Sequence, residues 1–551
     1  MNEILMKNFK YVDHIIVLTI GMLACGIVAV YLGKELCWDL ANYHYYNPYA
    51  FLHDRLRVDF WPSSNLHVRF IPTVDFLSYF LIYKFSSIQA VFILGAIHGI
   101  NFWLLFQISH FFIRGLENKT TIILALVLTI FGLYGPTALS GIGSFQHDDL
   151  ISIFILSFFL LLSKTLYYYS DSKKLSIKWT FAAGLLLGIG TGLKLTAALF
   201  IVGSAIAFLI LPIRFSDKAK LLLFWGLGVF LGIVLSGGYW MLILWKQFHN
   251  PFFPFFNGIF RSSDFLPINF KYSKFLPQSV WEILFFPFYF SWKGTSGDGL
   301  FQDFRFLIVY VLLIIASIKW FWRNFYKKAD QKPDLLTFWL YAFFISSYIV
   351  WEYYFSIMRY MVALEMLAPL MIYLLARKMI QNFHTFITFL FFVFLIILFS
   401  LAPLKTFRIA CLESSFFNVQ LPSFVKPQSD AMVLLAYPAY ALNLEPKPQA
   451  YLIPFFPSKW SFVGVPFLDG KFLPDMKASE KILDLIKKHP GNFYLLTTDI
   501  SMPELYRIAQ DFGLVAQGEC GEVLSDRQKI SSKKVLLCPV IKPKLKNSYS
   551  F

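Results

Sequence analysis

Two carboxylates, Glu35 and Asp39, stand at the head of a polar stretch, 35–75, that separates two strongly apolar segments. The stretch also carries His44 and an aromatic run, Trp38, Tyr43, Tyr45 and Tyr46. A carboxylate there has the chemistry of a general base, taking the proton of an acceptor hydroxyl as that oxygen attacks a sugar carbon. Asp39, in the segment WDLANYHYY, is the first choice for this role and Glu35 its nearest rival. His44 offers an imidazole to a phosphate or to the acceptor. Carboxylates beside aromatics suit a lipid-borne, hydroxyl-rich substrate, although Trp and Tyr at a bilayer boundary are also ordinary anchors.

Further along, Asp148 and Asp149 are adjacent acids at the start of an apolar helix pattern. They are a second acidic group that binds acceptor hydroxyls or helps to hold a divalent ion, or else a helix start favoured by the macrodipole. Lys194 lies in the turn GTGLKLT between two apolar helices. An ammonium held there snorkels or meets an anion, and a lipid phosphate is such an anion. Arg359 presents a planar fork for a phosphate. Glu365, inside the next apolar run, is a functional candidate by its position, or a structural partner of a cation such as Lys194. Arg261 follows the Pro- and Phe-rich segment NPFFPFFNGIF, a stiff apolar surface on which an isoprenoid tail can lie with its headgroup at the arginine.

These residues must be positioned by membrane helices. Of 551 residues 57% are hydrophobic and only 15% charged, which lies outside the range of soluble chains. Windows of about twenty apolar residues fall at 14–33, 88–113, 120–141, 149–169, 178–193, 195–213, 221–245, 304–322, 335–355, 359–376 and 384–403. The chain thus reads as an α-helical polytopic membrane protein with about eleven transmembrane helices. The first window is too long for a signal-peptide core and is read as a retained anchor. Basic clusters at 164–178, 214–220, 319–328 and 377–378 mark cytoplasmic loops. Counting from them places the N-terminus in the cytoplasm, and the loops 34–87 and 246–303 and everything after 403 outside. The count closes only if the apolar piece 74–83 lies along the membrane surface, with a second surface helix near 43–56.

The expected division is therefore a transmembrane domain, 1–403, and an outer C-terminal α/β domain, 404–551. In the latter, strand-like runs at 432–436, 493–497 and 534–538 alternate with amphipathic helices at 479–488 and 502–511. It lacks a GxGxxG or P-loop signature, so no nucleotide site is expected. A formal charge of +16 would suggest nucleic acid in a soluble chain, but here the basic residues orient the helices, and no nucleic-acid partner is expected. The five cysteines show no zinc spacing. Cys520 and Cys538, the two in the small domain, are free to pair if that domain sits in an oxidising space.

The layout resembles the C superfamily of membrane glycosyltransferases, the GT-C fold, over residues 1–403. WDLANYHYY occupies the place of that superfamily's catalytic acid just after the first span. GLKLTAA, NPFFPFFNGIFRS and RYMVALEMLAP are similar to segments of bacterial polyprenyl-phosphate-mannose mannosyltransferase-like proteins. The resemblance implies a bacterial inner-membrane enzyme that transfers a sugar from a polyprenyl-phosphate donor to a glycan or lipid acceptor of the cell envelope, with inversion at the anomeric carbon. It makes Asp39 the base and lets Asp148 or Asp149 fill the place of a second acid. Lys194, Arg359 and Arg261 would neutralise the leaving lipid phosphate. No cofactor is required by this reading; a divalent cation stays open, without a ligand spacing to place it. The rival readings are a polyprenyl-lipid or polysaccharide transporter, and an envelope polymerase or ligase.

Overall fold

The computed structural model describes residues 11–62, 67–265, 267–269, 271, 273–293, 301–327, 334–400, 408–411, 414–427, 430–438, 449–468, 471–472, 477–498, 502–531 and 534–543. Helix α1 (Tyr11–Leu32) leads into a two-residue strand β1 (Lys34–Glu35), a π-type turn (Leu40–His44) and the short helix α2 (Tyr46–Leu52). Next come α3 (Asp75–Lys84), α4 (Ser87–His98), α5 (Ile100–Phe112), α6 (Asn118–Leu133) and α7 (Pro136–Gly141). The apolar series continues with α8 (Asp148–Ser172), α9 (Ile177–Leu193), α10 (Ala198–Ile210) and the long α11 (Phe215–Phe248). After three short helices, α12 (Asn257–Phe260), α13 (Val280–Leu284) and α14 (Phe286–Lys293), come α15 (Arg305–Lys327), α16 (Leu335–Tyr354), α17 (Val362–Met379) and α18 (Phe383–Ser400). The remainder contains β2 (Arg408–Ile409), β3 (Ala431–Pro438), β4 (Ser461–Leu468), β5 (Lys471–Phe472), α19 (Lys477–Lys488), β6 (Asn492–Thr498), α20 (Met502–Asp511), β7 (Val515–Ala516), β8 (Gly521–Glu522), α21 (Gln528–Ser531) and β9 (Val535–Ile541).

Among the described residues, eight helical segments are long and apolar enough to cross a membrane, and three more apolar helices, Asn118–Leu133, Ile177–Leu193 and Leu195–Ile210, are shorter. The single window expected at 120–141 is two helices because Gly135 and Pro136 intervene: proline has no amide hydrogen to continue α6 but suits the first position of α7. Likewise Lys194 is extended (φ −148°) and a single 3₁₀ turn precedes α10.

Contacts divide the chain into two compact units, Met1–Leu32, Val91–Tyr239 and Lys271–Thr406 in one, and Gly33–Ala90, Trp240–Phe270 and Phe407–Phe551 in the other. The loop after α1 and residues 240–270 thus group with the tail, whereas the sequence reading kept them with the helices.

In the helical unit α8 packs on α9, α10 on α16, α5 on α6 and α15 on α17. The approach of α9 to α11 depends on glycine from both sides. A side chain at Gly184 or Gly188 would strike the backbone of Trp225 or Val229, and one at Gly228 or Gly232 the backbone of Phe181 or Leu185. Two small-xxx-small stripes face each other, the packing that replaces hydrophobic burial between helices in lipid.

In the second unit the strands run β5-β4-β3-β6-β9-β7, with β8 also on β9. β3 is parallel to both β4 and β6, with Leu434 opposite Val463 and Leu495, and β9 is antiparallel to β6. Helices α19 and α20 contribute Ile482, Ile486 and Ile508 to a core shared with Leu434, Leu495 and Val540. β4, which the sequence reading did not anticipate, carries Gly464 and Pro466, residues that usually argue against a strand interior. Cys520 and Cys538 form a disulfide with α-carbons 4.1 Å apart.

Buried charges explain why the first loop belongs to this unit. Lys34 is fully buried, with Nζ 2.6 Å from the Phe416 carbonyl and 2.6 Å from Asp526 Oδ2. Arg55 grips Asp59 through Nε and Nη2 and donates to the carbonyls of Ser458 and Trp460. Asp59 in turn accepts from Tyr46 Oη and from the Phe462 amide, and Phe60 bridges to β4 at Val463. Every one of these loop side chains finds its partner in the loop or in 416–526, as buried charges require.

Candidate functional site

The residues singled out in the sequence fall into two groups, one in each unit. In the unit with the sheet, Glu35 is 1% and Asp39 9% exposed. Glu35 is fixed by the β1–β2 ladder, opposite Arg408. Asp39 directly precedes the π-type turn, a local widening of the helix that recurs at functional sites. The same turn carries His44, whose Nδ1 lies 2.6 Å from Asp75 Oδ1. Both partners are buried. A carboxylate on one ring nitrogen fixes the orientation and tautomer of the imidazole, the arrangement used to hold metal-binding and proton-accepting histidines. Around them Trp38 and Tyr43 pack on His67, and Tyr43 on Phe70.

Arg261 is exposed and adopts φ 56°, at the end of α12. The Pro- and Phe-rich segment before it folds back through a cis Phe253–Pro254 bond, and Phe255 stacks on Phe70 of the first loop. Sequence reasoning missed Arg69 nearby. Trp240 Nε1 donates to its carbonyl at 2.9 Å, and its guanidinium lies 5.2 Å from the centroid of Phe248. Its Nε is buried without a hydrogen-bond partner. Burial pulls this guanidinium below its ordinary pKa, with Tyr46 and Asp264 opposing. The signal was faint, a lone arginine beside His67 and Phe70 in an aromatic loop.

In the helical unit, Lys194 and Arg359 converge on Asp148. Lys194 Nζ is 2.6 Å from Asp148 Oδ1 and 2.7 Å from the Gln146 carbonyl. Arg359 Nε is 3.9 Å from Asp148 Oδ2. Both cations also face the Tyr360 ring, at 5.7 and 5.4 Å. Asp148 opens α8 after His147 in the left-handed region, while Arg359 sits in the 3₁₀ turn before α17 and Lys194 caps the end of α9. Three helix ends therefore meet at a partly exposed cluster of two cations and one carboxylate. Such a cluster stabilises negative charge, and the N-terminus of α8 adds its dipole.

Asp149 diverges from its neighbour: its carboxylate packs where a side chain on Gly141 would stand, and its carbonyl accepts from Asn101. Glu365 does not pair with Lys194. It is fully buried against Arg305, with Oε1 2.8 Å from Nη2, and it receives the amides of Thr137 and Ala138 and the Thr137 hydroxyl at the start of α7. Arg305 also binds both oxygens of Asp303. The α7 N-terminus, with its orphan amides, is the reason this carboxylate turns away from Lys194. Glu365 is thus part of the scaffold beneath the cluster.

Glu352, near the end of α16, was also missed. It is 6% exposed, and its Oε1 is buried without a hydrogen-bond partner. Tyr348, one turn earlier, has a buried hydroxyl that likewise lacks one. An acid inside an apolar span is the signal that would have flagged it. The chain matches no family model, no curated protein and no solved structure.

Proposed function

We propose that the protein is an integral membrane glycosyltransferase of GT-C type, with the three shorter apolar helices also crossing the bilayer to give eleven spans. It takes a sugar from a polyprenyl-phosphate donor and adds it to an envelope glycan or lipid on the outer face of the bacterial inner membrane. The observation that carries this reading is the convergence of Lys194 and Arg359 on one partly exposed spot at the ends of apolar helices. A phosphate on an apolar tail is the anion that reaches such a spot. The guanidinium fork of Arg359 and the point charge of Lys194 hold it, and both gain strength as the phosphate accumulates charge on leaving.

In this mechanism an acceptor hydroxyl attacks the anomeric carbon while the bond from that carbon to the phosphate oxygen breaks. The phosphate departs with the electron pair, and the carboxylate of Asp39 takes the hydroxyl proton. Attack opposite the leaving group inverts the anomeric centre. Asp39 is the first choice for the role because it directly precedes the π-type turn that also carries His44, and Glu35, paired across the β1–β2 ladder with Arg408, is its rival.

The test is incubation of the purified full-length protein in lipid vesicles with radiolabelled polyprenyl-phosphate sugars and envelope lipid extract. Transfer or hydrolytic release that falls in Lys194→Ala and Arg359→Ala, with Arg359→Lys only partly restoring it, supports the reading. Movement of the intact lipid-linked sugar across the vesicle bilayer without bond cleavage would instead mark a transporter.

A further inference from the structure

Helix α3 reads DFLSYFLIYK and buries Asp75 and Ser78 together with Tyr79, Leu81 and Ile82. Asp75 and Ser78 are buried at 1% and 0%, while Phe80 and Tyr83 are 51% and 62% exposed. In water that arrangement leaves two large aromatics solvated while an acid and a serine are hidden. It is favourable where the surroundings are hydrocarbon. Helix α2 adds to the same surface through Leu52, 55% exposed.

Between the two helices runs an open groove of about 670 Å³, walled by Phe51, Leu52, Phe76, Phe80 and Tyr83. Its polar members are few. His53 is tied to Tyr79, Nε2 to hydroxyl at 3.2 Å, and the described lining residues include Lys84 and no carboxylate. Lys84 ends α3 with its ammonium 4.9 Å from the Tyr83 centroid, so its stem lies along the apolar wall and its charge stands at the rim. The volume is that of a small-ligand site, about 300–1,000 Å³, which is far less than a protein partner needs.

We propose that this groove seats an acyl chain of an anionic phospholipid, with the lipid phosphate on Lys84. Charge complementarity selects the headgroup: among the described lining residues one cation, Lys84, and no acid favour a net negative lipid over a zwitterionic one. The proposal rests on α2 and α3 lying in a membrane surface and does not depend on sugar transfer, so it stands or falls by lipid contact alone. An anionic lipid here fastens the first loop, and with it the turn carrying Asp39 and His44, to the membrane.

The full chain is reconstituted in phosphatidylcholine vesicles with a trace of phosphatidylglycerol, or of phosphatidylcholine, bearing a photoactivatable acyl chain. After irradiation, crosslinked peptides are mapped by mass spectrometry. Residues 46–57 and 73–84 should be labelled by the glycerol lipid about fivefold more than by the choline lipid, the preference expected from one cation near the surface. Lys84→Gln should bring the two probes to parity, and Phe80→Asp should lower labelling by both. Equal labelling by the two probes in the unsubstituted protein, or an unchanged ratio in Lys84→Gln, overturns the proposal. So does selective displacement of the glycerol probe by polyprenyl phosphate, which would make the groove a donor site.

Discussion

Replacing Arg305 by Met tests the reasoning that assigns Glu365 to the scaffold. Arg305 is fully buried, with Nε 2.9 and 3.1 Å from the two Asp303 oxygens and Nη2 2.8 Å from both Asp303 Oδ2 and Glu365 Oε1. Met fills much of the volume but leaves two carboxylates buried without a cation, and removing one partner of a buried pair costs about 3–5 kcal/mol. Glu365→Gln is milder. Arg305 keeps Asp303, and what is lost is the charge that Glu365 offers to Arg305 Nη2 and to the Thr137 and Ala138 amides, about 1.5–3 kcal/mol. At roughly 1 °C per kcal/mol for a chain of 551 residues, the apparent melting temperature of the detergent-solubilised chain should fall by at least about 3 °C in Arg305→Met and by about half as much in Glu365→Gln. Because Lys194 and Glu365 have different partners, their substitutions should be additive to within about 0.5 kcal/mol. An Arg305→Met protein that melts with the unsubstituted chain refutes the scaffold assignment. Strong coupling between Lys194→Ala and Glu365→Gln would restore the pairing expected from sequence.

Asp39→Asn should lower sugar transfer by about 10²- to 10⁴-fold with donor binding retained; normal turnover in it, with loss in Glu35→Gln, would move the base four residues upstream. Cys538→Ser opens the Cys520 disulfide and should destabilise the sheet domain by roughly 3 kcal/mol, read as faster amide exchange in β6 and β9; non-reducing peptide mapping that finds two free thiols removes the basis for this. His489 is held below its ordinary pKa, first by burial and then by Lys542, with Asp430 opposing. The unfolded chain then binds the proton more readily, so this contribution is present above about pH 6.5 and is lost as pH falls through that value towards the folded one. Protection factors of the amides around 485–495 in the full chain, corrected for the slower intrinsic exchange at lower pH, should fall below about pH 6.5, and His489→Gln should flatten the dependence.

Much of the fold could be read from periodicity. α20 has the bounds expected from its amphipathic pattern, and α19 begins two residues early. Helix α3 lies where an apolar piece too short to span was placed on the surface. β4 escaped because SFVGVPFL alternates no polar residues and contains both Gly and Pro. The break between α6 and α7 is legible at Gly135–Pro136 but not in hydropathy, which is blind to a missing amide hydrogen. Site residues were legible by type and not by partner. A carboxylate in an apolar run announces that it needs a cation, but Lys194 and Arg305 answer that need equally in one dimension, and only the α7 amides decide for Arg305. The local sign at Arg69 is faint and Lys34 carries none, since their surroundings come from distant segments.

The bond from Lys34 to Asp526 joins residues 492 positions apart, and Arg527 adds a second tie by donating to the carbonyl of Leu36. A ribosome adding about 5–20 residues per second therefore delivers the partner of Lys34 some 25–100 s after the lysine itself. Throughout that interval the first loop holds Lys34 without its Asp526 counter-ion, and for most of it Arg55 lacks its carbonyl partners at Ser458 and Trp460. Such a loop must wait in a solvated, unfinished form while the intervening helices are inserted. A nascent chain stalled before residue 526 should accordingly be cut by protease within 34–60, and one released at full length should resist, so the final strands act as the clasp that ends a long vulnerable period of biogenesis.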